Sequence, residues 1–280
     1  MILLLLTSVV ITHAQQMSIP VTDSLAPPPT AQQSSSEEEE FIQPTRPGIA
    51  NPAEFQKPGV LQLEYGYDAN FRADDFHTQQ TAPLTLRFAA SKRLLLDFNL
   101  DAPISETDEM GMRLTGVGDT RLGFQVLALE DAEQHPALAF AYYIKLPSAS
   151  REKELGTGRI DHRIVALVSK KMGETDIDFN VAYLNVGRED SGRRASGGQA
   201  ALSFSRKFEN HFGFVAEVAG QSVDDVQPRG IFALGALTYK VNRRLQFDAG
   251  MRFGLNVEAP RLGVFTGLTL GVADFFKNDR

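Results

Sequence analysis

The residues that could do chemistry here are charged side chains recurring at every second position of otherwise apolar runs. Glu64 lies in GVLQLEYGYD, Arg87 in PLTLRFA, and Arg93, Asp97 and Asp101 in RLLLDFNLD. Asp119 and Arg121 open GDTRLGFQV, Lys145 falls near the end of ALAFAYYIKL, and Asp161 and Arg163 open IDHRIVALVSK. Asp178 lies in TDIDFNVAYLN, Glu217 in HFGFVAEVAGQ, and Asp248 and Arg252 in RLQFDAGMRF. Both signs occur, so in a closed sheet acids and bases of adjacent strands would lie side by side. Such a set has two possible roles. It can be a lattice of ion pairs and hydrogen bonds that satisfies charges removed from bulk water and fills a lumen. It can also be a selectivity lining, as charged rings are in pores.

The other reactive residue types point to no catalyst. His13, His77, His135, His162 and His211 are scattered without metal-ligand spacing, so neither metal nor cofactor is expected. A surface lipid hydrolase would need a serine and a histidine converging on an outer face with a polar orienting group. His162 is the one strand histidine near a polar cluster, and the sequence places no serine beside it; the chain is not expected to be an enzyme. Gly156-Thr157-Gly158 precedes no helix whose N-terminus could hold a phosphate, so it reads as a loop end entering a strand. The absence of cysteine removes thiol chemistry and a lipid-anchored cysteine.

Those charges need strands to hold them. From Gly59 onward the apolar period is two, and helical spacing does not persist over several turns. Leu61, Leu63, Tyr65 and Tyr67 share one face, and Gln62, Glu64, Gly66 and Asp68 the other, as a strand between lipid and a polar interior requires. Leu84, Leu86 and Phe88 oppose Thr85 and Arg87; Leu94, Leu96, Phe98 and Leu100 oppose Arg93, Asp97, Asn99 and Asp101. Leu122, Phe124 and Val126 oppose Asp119, Arg121 and Gln125. Ile177, Phe179, Val181 and Tyr183 oppose Asp176, Asp178 and Asn180, while IDHRIVALVSK has no clear facing. GQAALSFSR, HFGFVAEVAGQ, GIFALGALTYK, RLQFDAGMRF and LGVFTGLTLGVA complete about twelve strands, an even number.

The connections carry an independent signal. Long ones are expected at 70–80, 102–116, 147–159, 187–195, 221–229 and 255–261, the 147–159 one being a mobile charged loop. The intervening turns ASK, KMGE, KFEN and KVNR are hairpin-sized, and EDAEQHP is longer. This alternation suits a barrel with one exterior and one periplasmic rim. A soluble β-sandwich also alternates, but it would seldom set charges on the inner face of so many consecutive strands. With no Trp, the places in an interfacial girdle fall to Tyr65, Tyr67, Tyr142, Tyr143, Tyr183 and Tyr239.

The 280 residues are 42% hydrophobic and 22% charged, which by itself does not separate soluble proteins from barrels. Residues 1–14, an apolar run followed by Thr12 and Ala14, read as a signal peptide, although no Lys or Arg follows Met1. No later stretch approaches the roughly 18 apolar residues of a spanning helix. Residues 15–43, with PPP, QQSSS and EEEE, read as a disordered Pro/Ser/Glu-rich periplasmic tail. Its acids supply −5 of the net −7, and the near-neutral remainder argues against nucleic-acid binding. Residues 44–58 read as a periplasmic lead-in or partial plug, 59–275 as the barrel and 276–280 as a C-terminal tail.

Three stretches, TRPGIANPAEFQKPGVLQLEYGY, GVGDTRLGFQ and the run from IKLPSASREKELGTGRIDHRI to VSKK, together resemble the outer-membrane transporter-like family named for the MetA pathway of phenol degradation, over about residues 45–275. The resemblance implies an outer-membrane barrel with a role in uptake of small molecules, aromatic ones among them, and it carries no agreed functional residues. The expectation is therefore an all-β transmembrane antiparallel barrel of the outer-membrane type, in a Gram-negative-type bacterium, passing small organic solutes. Its partners would be outer-membrane lipids, the barrel-assembly machinery and the solute, with a monomer favoured over an oligomer. A barrel of about twelve strands has a narrow lumen, so a non-transporting structural or interaction barrel is the alternative, and a plugged lumen would favour it.

Overall fold

The computed structural model describes residues 40–73, 76–108, 110–149, 156, 158–188, 192–208, 211–223 and 230–276. The expected signal peptide, nearly all of the expected tail, most of the SASREKE loop and the last four residues lie outside the described residues. Strand segments are β1 (Val60–Phe71), β2 (Thr78–Ala89), β3 (Leu94–Thr107), β4 (Arg113–Gly116), β5 (Thr120–Leu129), β6 (Ala137–Leu146), β7 (Asp161–Met172), β8 (Thr175–Gly187), β9 (Arg194–Lys207), β10 (Phe212–Gln221), β11 (Ile231–Asn242), β12 (Leu245–Gly254) and β13 (Leu262–Asp274). Each pairs antiparallel with its neighbours, and β1 pairs with both β2 and β13, which closes the sheet. β4 and β5 occupy one place in the wall, since both pair with β3, and the result is a closed barrel of 12 strands.

That interruption corrects the expected 102–116 loop. β3 runs on to Thr107 and β4 begins at Arg113, leaving a turn in which Met112 N–H bonds the Asp108 side chain at 2.8 Å. Polar residues occupy both faces of this stretch, so the alternation that marks a strand against hydrocarbon fades there.

Among the described residues, closure leaves only the short β4, which pairs with β3 alone, with a free edge, and the outward face is apolar. Phe140, Ile164, Val181, Leu202, Phe204, Val218 and Leu237 are among the large hydrophobic side chains exposed on it. Among the tyrosines proposed for the girdle, Tyr65, Tyr67, Tyr183 and Tyr239 are exposed, but Tyr143 is buried inside the wall. Tyr142, one residue before it, takes the outward place, as the strand period dictates. A surface this apolar on a closed sheet needs hydrocarbon around it.

The inner face is divided. Across β6, β7 and β8 it carries an apolar patch: Ala139, Ala141, Tyr143, Val165, Leu167, Ala182 and Leu184 belong to one buried cluster. Elsewhere buried polar and charged residues alternate with smaller apolar groups, Ala201, Ala219 and Phe232 in one and Leu234, Ala236 and Phe265 in another. The apolar sector explains why IDHRIVALVSK has no clear facing, because Val165 and Leu167 point inward while Ile164 points outward.

Residues 41–57 run inside the barrel from the short-turn rim. The chain enters and leaves that rim at one place, with Lys57 N–H bonded to the Glu40 carbonyl at 2.9 Å. Phe41 and Ile42 are buried with Val60, Ala50 with Ala201, Ala219 and Phe232, and Ala53 and Phe55 against the apolar sector. Phe41 and Ile42, within the stretch the sequence reading assigns to the tail, thus belong to this inner segment.

Candidate functional site

Carboxylates and amides of the wall hold the inner segment by its own backbone. Glu64 accepts hydrogen bonds from Thr45 N–H at 2.9 Å, Thr45 Oγ1 at 2.8 Å and Arg46 N–H at 3.2 Å. Glu217 accepts from Ile49 N–H at 2.8 Å and Ala50 N–H at 2.9 Å. Asn180 and Asn51 exchange two bonds of 2.7 and 2.9 Å, and Gln62 and Gln43 exchange two of 2.8 and 2.9 Å. Ala53 N–H donates to Ser169 Oγ at 2.8 Å, whose hydroxyl donates to Asp178. Gln125 donates to the carbonyls of Pro52 and Ala53 at 3.1 and 2.7 Å. Side chains thus satisfy an irregular backbone at membrane depth, which is tolerated only where protein or water surrounds it.

Two recesses fit the segment to the wall. Arg46 donates to both Asp248 oxygens at 3.2 and 3.1 Å, a bidentate pair. Its guanidinium lies over Gly66 and Gly267, which face each other across β1 and β13, and a Cβ on either would overlap it. Gly48 likewise lies against the Glu217 carboxylate, where a Cβ would collide.

Toward the long-loop rim, the segment is the floor of a cavity of about 390 Å³, lined by Thr45–Ile49, β1–β3 and β5–β9 residues and Arg252. Its charges are mostly paired. Lys145 lies 3.1 Å from Asp119 and 2.6 Å from Asp161, which also accepts Gly187 N–H at 2.8 Å. Arg121 stands 3.9 Å from Asp101, both partly exposed. Arg87 lies fully buried between Glu64 at 3.9 Å and Asp97 at 3.5 Å and donates to the Gln43 carbonyl at 2.7 Å. Arg252 lies 3.7 Å from Asp68 and over the rings of Phe232 and Phe265. Arg163 lies over the Tyr143 ring, 5.8 Å from its centroid, with no ion pair among the described residues.

Of the charges singled out in the sequence, Glu64, Asp97, Asp101, Asp119, Arg121, Lys145, Asp161, Arg163 and Arg252 border the cavity, and Arg87, Asp178, Glu217 and Asp248 are buried away from it. The exception is Arg93. It sits exposed in the turn before β3, donating to the Ala128 carbonyl at 3.3 Å, because the strand begins one residue later. The sequence sets Asp68, Gln62, Gln125 and Asn180 on the polar face without singling them out, and it does not point to Arg46. Their signal was parity: Gln62, Asp68, Gln125 and Asn180 share a face with the selected charges. Arg46 lies outside the strands and gives no such signal.

His162 borders the cavity but turns its ring toward outward-facing Tyr142. Its Nδ1 is 2.7 Å from the Tyr142 hydroxyl, and the two rings stack. Ser196 accepts from the Tyr183 hydroxyl at 2.9 Å and from Asn185 Nδ2 at 3.0 Å. Among the described residues no hydrogen bond joins His162 to a serine, and no group of three or more His, Asp or Glu could hold a metal ion.

At the short-turn rim, Glu40 pairs with Lys207 at 2.9 Å and faces Lys240 at 3.9 Å. Burial raises its pKa, but Lys207, Lys240 and Lys171 outweigh burial and hold the carboxyl below its usual 4.5.

A family model described as "Putative MetA-pathway of phenol degradation" matches residues 46–271. No curated protein matches the sequence. The fold is similar to an outer membrane channel from Pseudomonas putida F1, with TM-score 0.58 and 15% identity, covering 81% of this chain and 99% of that one. Outer membrane phospholipase A from Escherichia coli aligns at TM-score 0.44 and 11% identity over 80% of this chain and 96% of that one. A toluene transporter from P. putida aligns at 0.43 and 10% over 77% and 91%.

Proposed function

We propose, from the premise that this chain belongs to the family described for the MetA pathway of phenol degradation, that it is an outer-membrane channel for small organic solutes, aromatic or hydrophobic ones among them. Residues 41–57 hold it closed at rest. The observation that carries this reading is a cavity of about 390 Å³ whose floor is a non-strand segment of the same chain. That volume falls within the roughly 300–1,000 Å³ of ordinary small-molecule sites. The floor is fastened by side-chain hydrogen bonds and ion pairs, which can be released without unpairing a wall strand.

The apolar outer face supports residence in the outer membrane of a Gram-negative-type bacterium, with the short turns on the periplasmic side. Export by residues 1–14, insertion by the barrel-assembly machinery and a monomeric state belong to the same proposal. Nothing in it requires an enzyme.

Planar-bilayer recording tests the reading. Glu217→Ala removes the acceptor of Ile49 and Ala50, bonds to a charged group worth about 1.5–3 kcal/mol each. Conductance is expected to rise several-fold above the parent, with the barrel still folded. A variant that stays impermeable to ions and small solutes, even with residues 41–57 deleted, would contradict transport.

The occupied lumen favours one competitor, a non-transporting structural or interaction barrel. In that case the same variants would fold and remain closed.

A further inference from the structure

Across the inner wall, one row of partners reads Gly123, Tyr143, Arg163, Leu184 and Gly197 on β5, β6, β7, β8 and β9. The glycines at its ends are both covered, Gly123 by the Tyr143 ring and Gly197 by Val223 and Ser222. Arg163 thus stands between an aromatic ring and an aliphatic side chain, facing the cavity. Its Nε is buried, with no hydrogen-bond partner among the described residues.

The neighbouring acids are engaged elsewhere. Asp161, two residues up the strand, binds Lys145 and Gly187 N–H; Asp119 binds Lys145; Asp97 faces Arg87; Asp101 faces Arg121. The other cavity-facing arginines, Arg46, Arg121 and Arg252, each have a carboxylate partner. Among the described residues that line the cavity, Arg163 is the arginine with no carboxylate in an ion pair. A desolvated guanidinium is costly unless an anion completes it, and its planar fork matches a carboxylate.

We infer that Arg163, with Tyr143 and Leu184 beside it, is a binding site for a small organic carboxylate with an apolar body. The carboxylate takes the free guanidinium edge, and the ring or chain packs on Tyr143 and Leu184. This rests on the transport reading and deepens it by naming the solute class as anionic at one end and apolar at the other.

Calorimetric titration of the folded full chain in detergent tests the site without requiring passage. Benzoate is the probe, with benzyl alcohol and benzylammonium as neutral and cationic counterparts. Benzoate is expected to bind best, and Arg163→Met to weaken it about ten-fold, ~1.4 kcal/mol, while Arg163→Lys restores most of the affinity. The thermal midpoint of Arg163→Met should equal or exceed the parent's, because an unpaired charge is removed. Benzoate binding no tighter than benzyl alcohol, or indifferent to Arg163→Met, would overturn the site. So would a loss of binding that Arg163→Lys fails to restore while the midpoint falls, since Arg163 would then be a wall residue. If benzoate binds yet the unplugged barrel conducts nothing, transport fails and the site stands; if solutes pass and benzoate does not bind, the reverse holds.

Discussion

Arg87 connects the wall to the segment inside it. It is fully buried between two carboxylates, Glu64 and Asp97, and its Nη1 reaches the Gln43 carbonyl. Removing one partner of such a set leaves the others charged and unpaired, which costs about 3–5 kcal/mol. Arg87→Ala is therefore expected to lower the urea midpoint of the barrel in lipid vesicles by that scale, and an unchanged midpoint would contradict the network. The double exchange Arg87→Met with Asp97→Leu should recover part of the loss. These charges could be read from the sequence as a group, because strand parity sets them on one face. Their partners could not. Glu64 and Glu217 face backbone N–H groups of residues 45–50, and Asp248 faces Arg46, at separations from 18 to 202 residues. Only the closed ring brings them together.

Each strand answers to two environments at once. On β8, Phe179, Val181 and Tyr183 are exposed outward while Asp178, Asn180 and Ala182 are buried inward. Val181 lies at the middle of the strand, so Val181→Arg should destabilise the barrel in bilayers by about 2–4 kcal/mol, the cost of a cation at the midplane. A neutral effect in vesicle unfolding would mean that this face meets water. Strands such as β1 and β8 were legible because one face is polar. β7 was not, because its inner Val165 and Leu167 belong to the apolar sector against which Ala53 and Phe55 pack. The β3–β4 turn was misread as a long loop because its flanking residues lie beyond the apolar belt, where alternation loses its cause. Arg93 was misassigned for a related reason: parity continues past a strand's end, but side-chain direction does not.

The whole molecule is a closed ring with its own chain as a stopper, clasped at the short-turn rim. Glu40 sits in that clasp with its pKa held below 4.5 by Lys207, Lys240 and Lys171 against the opposing effect of burial. A depressed carboxylate contributes fully above its unfolded value and loses its contribution as pH falls through the lower folded value. Channel opening should accordingly increase below pH 4.5 and be mimicked at neutral pH by Glu40→Gln, as read from open-state conductance; a pH-independent conductance would remove Glu40 from the clasp. The fold class was readable from period two and from alternating connection lengths, both consequences of a sheet that separates hydrocarbon from a polar interior. The stopper was only half readable, since RPGIANPAEF carries no repeating pattern to show where it lies. The absence of native cysteine permits clean single labelling, so nitroxides placed one at a time at residues 178–183 in lipid vesicles test the arrangement most directly. At 179, 181 and 183, collisions with oxygen should dominate over those with a water-soluble nickel chelate. At 178, 180 and 182, both reagents should be excluded by the segment inside. Chelate access at 181, or free chelate access at 180, would contradict the account.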